Sequence, residues 1–268
     1  MATHAMGCRF ELVLAGAPTR VLRAAGEEAI ELIEEAHSTL TRFERGSIVW
    51  RLNRGQDQRV DAEVFELFML CENVRAASLG VFDITRGGVI ALDTERRIVR
   101  VERGDVDMGA VAKGWAVDRA ARWLADAGVP SAFVHGGGST VRAYGAPPVG
   151  ENAWSVLIGA ETGLDPIHAV ITDRALGVSG DGKQGTHIVD ARTGRCARSG
   201  AFGACIGNSG ALCDAWSTVL AVTGARPDAM PEEYQSFVVR DDAWCIEPSI
   251  ESASKEMAGC QSSIVVRS

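Results

Sequence analysis

Two short stretches of this chain concentrate residues able to hold a phosphate and a hard cation. Asp107-Met-Gly-Ala-Val-Ala-Lys-Gly-Trp-Ala-Val-Asp118 sets two acids, a lysine and two glycines at the start of an expected helix, and Asp214-Ala-Trp-Ser-Thr218 sets a carboxylate beside two hydroxyls. N–H groups in the first turn of a helix have no partner within the helix, so they can bind a phosphate, and a lysine there can neutralise it. Carboxylate and hydroxyl oxygens suit Mg²⁺, which completes its shell with water and ligand phosphates. The pair of stretches therefore suggests a divalent-metal site for a phosphate-bearing ligand. Each also has a plainer reading: an acidic N-cap with a surface lysine for the first, and a solvated polar helix face for the second. Asp118 is expected to be a surface or packing contact rather than a site group.

Helices must carry both stretches. From Val111 to Ala127 the residues Val111, Ala112, Trp115, Ala116, Ala120, Trp123 and Leu124 form an apolar stripe, with Gly128 as the stop. From Ser209 to Gly224 a second helix is expected. With Leu212 as reference, Trp216, Val219 and Leu220 fall within about 80° of it, which turns Asp214 and Thr218 to the opposite face, one turn apart. Earlier helices are expected over Leu22 to His37, with Ala29, Ile30, Ile33 and Ala36 near one face, and over Glu63 to Ser78, with Val64, Leu67, Phe68, Cys71 and Val74 at helical spacing. Thr39 to Asn53 reads as a polar connection.

Strands are expected at Phe10 to Leu14, Ser131 to His135, Trp154 to Ile158 and Ala169 to Thr172, with hairpins through Ile98 to Val101 and around Asp241-Asp242. The run Gly136-Gly137-Gly138-Ser139 allows a close backbone approach but matches neither the phosphate-loop nor the dinucleotide fingerprint. Gly80-Val-Phe-Asp-Ile-Thr-Arg-Gly-Gly88 reads as a structural turn. His187, in Thr186-His-Ile-Val-Asp190, has the chemistry of a general base or ligand contact, and a structural histidine is the plainer reading.

Composition narrows the partners. A net charge of −8 provides no broad basic surface for nucleic acid or an anionic membrane, and 46% hydrophobic residues can bury a substantial core. The first residues lack the basic-then-apolar pattern of an export signal, so the expected compartment is the cytoplasm. Seven cysteines without Cys-x-x-Cys spacing indicate neither a disulfide framework nor a cysteine zinc site. No linker or repeat divides the chain, and residues 1–268 are expected to form one domain.

Taken in order, the motifs resemble those of the ApbE family of flavin transferases. They are Met6-Gly-Cys-Arg-Phe10, Thr41-Arg-Phe-Glu-Arg-Gly-Ser47 with Arg51-Leu-Asn53, Phe82-Asp-Ile-Thr85, Asp107 through Asp118, Val134-His-Gly-Gly-Gly138, Val178-Ser-Gly180, His187-Ile-Val-Asp190 with Thr193-Gly194, and Asp214 through Thr218. The resemblance implies an α+β fold in which antiparallel sheets and packed helices enclose a nucleotide cleft. It implies a Mg²⁺-dependent FAD:protein FMN transferase that splits FAD at its pyrophosphate and joins FMN by a phosphodiester to a threonine or serine of an acceptor protein, releasing AMP. Metal ligands would be Asp214, Ser217, Thr218 and the Ala110 carbonyl. Flavin-nucleotide contacts would come from Met6, Phe43, Asp107, Lys113 and Val189, with His187 as the base near the attacking hydroxyl. An FAD pyrophosphatase, or a flavin-binding protein without turnover, would use the same cleft. Phe43 stands where many members have tyrosine, and the stretch from Thr85 to Asp107 lacks the usual Trp-Gly-Phe-Gly-like segment.

Overall fold

The computed structural model describes residues 1–149, 152–160, 162–180, 188–198, 200–240, 242–246 and 264–265. Its helices are α1 (Thr19–Leu40), α2 (Ile48–Leu52), α3 (Ala62–Ala77), α4 (Ala112–Asp126) and α5 (Gly210–Thr223). The strands are β1 (Ala2–Ala5), β2 (Cys8–Ala15), β3 (Gln58–Arg59), β4 (Val89–Asp93), β5 (Ile98–Arg103), β6 (Ser131–Gly136), β7 (Thr140–Tyr144), β8 (Trp154–Ile158), β9 (Ile167–Ile171), β10 (Arg174–Gly180), β11 (Val189–Asp190), β12 (Arg195–Cys196), β13 (Phe202–Gly207), β14 (Gln235–Arg240), β15 (Ala243–Ile246) and β16 (Ile264–Val265).

Eight strands make one sheet in the order β1-β2-β6-β7-β10-β13-β14-β15, antiparallel throughout. Side chains alternate across a strand, so each central strand feeds two cores. Ala132 and Val134 of β6, Ala175 of β10, Cys205 of β13 and Val238 of β14 join the helices on one face. Their neighbours Phe133, Leu176, Ala204, Ile206 and Phe237 face the opposite way, onto Trp154, Val156 and Ile158 of β8 and Ile171 of β9. Full burial of each such large apolar side chain is worth about 1.5–3 kcal/mol.

Helix α5 lies directly on the sheet because two strand positions lack side chains there. A Cβ on Gly177 of β10 would sit 2.4 Å from the Cys213 carbonyl carbon, and one on Gly203 of β13 would sit 2.4 Å from the Ala221 nitrogen. The helix begins at Ser209, whose hydroxyl accepts from the Leu212 N–H, and ends at Gly224 with φ of 64°, the left-handed stop that glycine tolerates. These are the boundaries expected from sequence.

Expected elements recur at α1, α3, α4, β2, β5, β6, β8 and β9, and β14 and β15 flank the expected hairpin at Asp242. Three differences have physical causes. Thr39 to Asn53 contains the short helix α2, capped by Ser47, whose hydroxyl accepts from the Trp50 N–H. Trp123 leaves the α4 stripe and is 37% exposed, because that stripe is wider than the face the core covers. Strands β1, β7, β10 and β13 carry no clear strand pattern in the sequence, being rich in glycine, alanine, serine and threonine rather than alternating large apolar residues. β1 is set by the turn Met6-Gly7, with φ of 51° and 73°, the geometry of a tight two-residue hairpin.

Candidate functional site

The two chemically dense stretches meet where α4 crosses α5. Glycine makes the crossing possible: a Cβ on Gly114 would lie 2.1 Å from the Gly210 carbonyl oxygen, and one on Gly210 would lie 2.7 Å from the Gly114 oxygen. At this distance the Gly114 N–H donates to Asp214 Oδ2 at 2.7 Å. Thr140, the first residue of β7, donates its hydroxyl to Asp214 Oδ1 at 2.7 Å. Asp214 is only 5% exposed, so the solvated-face reading of this helix does not hold. Burial pushes its carboxyl up to about 6; Lys113 and the Thr140 and Gly114 hydrogen bonds oppose this, while Asp118 adds to it.

Around Asp214 the groups are arranged by charge and by lone pairs. Lys113, in the first turn of α4, donates its ammonium to Ser139 Oγ at the end of the glycine run. The Cys8 thiol borders the same space: a Cβ on Gly137 would lie 2.9 Å from Cys8 Sγ and 4.0 Å from Lys113 Cδ. Burial raises the Cys8 thiol, Lys113 draws it down and Asp214 raises it again. On α5, Ser217 Oγ and Thr218 Oγ1 donate back to the Asp214 carbonyl at 2.8 and 3.3 Å.

Asp118 is neither a surface group nor an ordinary packing contact. Its carboxylate accepts from the N–H groups of Gly210 at 2.8 Å and Ala211 at 3.2 Å, and from the Ser209 hydroxyl at 3.0 Å. An acid on α4 thus caps α5, as the backbone of α4 binds the acid of α5. Burial raises the Asp118 carboxyl, and these hydrogen bonds and Arg142 oppose it. The start of α4 is less open to a phosphate than its sequence implied. The Ala112 N–H donates to the Met108 carbonyl, the Gly114 N–H to Asp214 and the Trp115 N–H to the Val111 carbonyl. What remains for an anion is the Lys113 N–H, for which no hydrogen bond is seen among the described residues, and the Lys113 charge.

Of the other expected contacts, Asp107, Phe43, Met6 and Val189 have their described partners elsewhere. Asp107 Oδ2 pairs with Arg42 at 3.2 Å and Arg86 at 3.1 Å, while Oδ1 accepts from the Gly109 N–H at 3.0 Å. Phe43 is 79% exposed, with the Arg42 guanidinium 4.9 Å from its ring centre. The Met6 N–H donates to His37 Nδ1 at 3.3 Å. Val189 pairs with Cys196 in the small ladder of β11 and β12. Ala110 lies in the turn closed by the Met108 carbonyl, immediately before α4. His187 lies outside the described residues. Among those described, no hydrogen bond or ion pair links Met6, Phe43 or Val189 to the Asp214 cluster. The Gly80 to Gly88 segment is the expected turn: Asp83 accepts from the N–H and hydroxyl of Thr85 and the N–H of Gly87. The stretch from Thr85 to Asp107 carries the hairpin of β4 and β5.

Among the described residues no group of three or more His, Cys, Asp or Glu could hold a metal alone. What the cluster offers is one buried carboxylate and neighbouring hydroxyl oxygens. That set fits Mg²⁺ only when it takes further oxygens from water and a bound phosphate, the usual manner of this ion. No helix among the described residues is long and apolar enough to cross a membrane.

The fold and site define a mixed helix and antiparallel-sheet protein with a buried acid and hydroxyl cluster at a helix crossing. The ApbE family model matches residues 6–98 and 88–235, and the chain belongs to that family. Solved structures of similar shape include the ApbE protein of Thermotoga maritima, with a TM-score of 0.78 and 21% identity over 94% of this chain and 97% of that one. The flavin transferase ApbE of Vibrio cholerae gives a TM-score of 0.71 at 18% identity, covering 92% of this chain and 95% of that one. A curated relative from Rhodobacter capsulatus, named FAD:protein FMN transferase, is 34% identical over 129 residues, 44% of this chain and 24% of that protein. The chain therefore spans about a quarter of the curated relative it matches.

Proposed function

We propose that this chain, acting as one domain, is a Mg²⁺-dependent FAD:protein FMN transferase that moves FMN from FAD to a threonine or serine hydroxyl of an acceptor protein and releases AMP. The observation carrying this reading is the buried Asp214 carboxylate, fixed by Gly114 and Thr140, next to Lys113 and the Ser217 and Thr218 hydroxyls. Family membership and the name of the Rhodobacter capsulatus relative support it.

Asp214, Ser217, Thr218 and the Ala110 carbonyl are the oxygens we assign to the cation, which when bound would offset charge on the pyrophosphate. Lys113 supplies a positive charge beside Asp214, and we assign it to a pyrophosphate oxygen, where it would stabilise the charge that develops as the bond to AMP breaks. Asp107 and its arginines fix the loop before α4, and Met6, Phe43 and Val189 are assigned to the flavin nucleotide. The ring of Phe43 is exposed and available for stacking. His187 is assigned the proton of the acceptor hydroxyl. Cys8, Cys71, Cys205, Cys213 and Cys245 are free thiols, which suits a reducing compartment such as the cytoplasm.

The test is to incubate purified protein with FAD, Mg²⁺ and a threonine-bearing acceptor. AMP release matched by flavin on the acceptor is the expected result. AMP and free FMN without an acceptor would show a pyrophosphatase instead, and FAD binding without AMP would show a protein that has lost turnover.

A further inference from the structure

Ser179, the middle residue of Val178-Ser-Gly180, has no part in the reading above. β10 brings it against α5, where its Oγ lies 2.8 Å from Ser217 Oγ and 3.2 Å from Thr218 Oγ1. The protons of this cluster can be counted. Each hydroxyl has one proton and two lone pairs. Ser217 and Thr218 both give their protons to the Asp214 carbonyl, at 2.8 and 3.3 Å. With both protons held there, Ser179 acts as the donor, and the shorter distance directs it to Ser217.

The consequence concerns electron pairs. With all three protons committed inside the cluster, the hydroxyls of Ser217 and Thr218 can offer only lone pairs to anything that approaches. Lone pairs attract a cation and repel an anion. Ser217 is fully buried, so without Ser179 its oxygen would lose a donor that water cannot easily replace. The Ser217 hydroxyl would then be held only through its own bond to the Asp214 carbonyl, and its lone pairs would no longer be fixed by a donor.

We propose that Ser179 is a positioning residue of the cation site, acting through Ser217 and Thr218; this rests on the transferase reading, in which those two hydroxyls are ligands. Side chains that orient metal ligands commonly change affinity by about 10- to 100-fold when removed. The experiment is a Mn²⁺ titration of the full chain by electron paramagnetic resonance, with thermal unfolding of the metal-free protein and the metal dependence of AMP release measured alongside. S179A should bind Mn²⁺ about 10-fold more weakly, melt close to wild type, and regain its kcat at saturating metal. S179T, which keeps the hydroxyl, should restore binding. If S179A does not fold, S179C fills the space with a weaker donor and should show the same loss. Unchanged Mn²⁺ affinity in S179A or S179C, or a lowered melting point with unchanged affinity, would overturn the proposal for Ser179 alone. A wild-type protein that binds no Mn²⁺ would remove the cation site, and the role of Ser179 with it.

Discussion

Gly114 on α4 donates its backbone N–H to the Asp214 carboxylate on α5 at 2.7 Å, and this bond holds the two halves of the site together. A residue with any side chain at position 114 could not make it, because the space a Cβ needs is filled by the Gly210 carbonyl. The glycine therefore serves the site through what it lacks.

Gly114→Ala should accordingly force α4 and α5 apart. Overpacking of this kind typically costs about 1–3 kcal/mol, and here the obstacle is backbone, which yields less than a side chain. Urea unfolding should show a loss at or above the upper end of that range, and AMP release should fall with it. An alanine variant with wild-type stability and activity would show that the helices separate freely.

Asp118→Ala should destabilise the protein more than an exposed cap would. Three donors, the N–H groups of Gly210 and Ala211 and the Ser209 hydroxyl, lose their partner together. Unsatisfied buried donors cost about 1–3 kcal/mol each, although such costs are not additive, and the burial penalty of the carboxylate itself is relieved. A net loss of about 2–4 kcal/mol in chemical denaturation is expected. A loss under about 0.5 kcal/mol would place Asp118 among ordinary surface residues.

Asp214→Asn should separate stability from function. The Asp214 carboxyl is raised from 3.8 to about 6 by burial, so the unfolded chain releases this proton more readily than the native protein does. Between these values the native state binds more protons. The metal-free protein therefore gains stability as pH falls from above 6 towards 3.8, and above 6 it bears the full penalty of a buried charge. Asparagine should raise the stability of the metal-free protein at pH 8 by on the order of 2 kcal/mol while abolishing Mn²⁺ binding. At pH 4 the two proteins should melt alike. A variant less stable than wild type at pH 8 would show that the carboxylate is already compensated by Lys113, Thr140 and Gly114.

The helices bearing the site could be read from the sequence because α1, α3 and α4 repeat apolar residues at helical spacing and α5 carries a serine cap and a glycine stop. The partners of Asp214 could not be read in the same way. Gly114 contributes a backbone N–H, and Thr140 begins a strand of small and polar residues that shows no strong alternation. For Asp118, helical spacing indicated only that it lay along α4; that it caps another helix depends on the crossing angle, which no local pattern encodes. The burial of Asp214 was hidden for a related reason. Helical spacing marks the face opposite Leu212 as polar but does not reveal that β10 and β13 carry glycines that draw this face onto the sheet.

Lys113→Met tests the remaining charge. Lys113 draws the Asp214 carboxyl down, so its loss should raise that group further and move the acid limb of the pH profile for AMP release to higher pH. Methionine keeps most of the side-chain volume, so the loss of charge can be separated from a loss of packing. If Lys113 also stabilises the charge developing on the pyrophosphate, kcat should fall by about 10²- to 10³-fold, the range seen when one such electrostatic contact is removed. A variant with a raised KM for FAD and an unchanged kcat would instead assign Lys113 to ground-state binding.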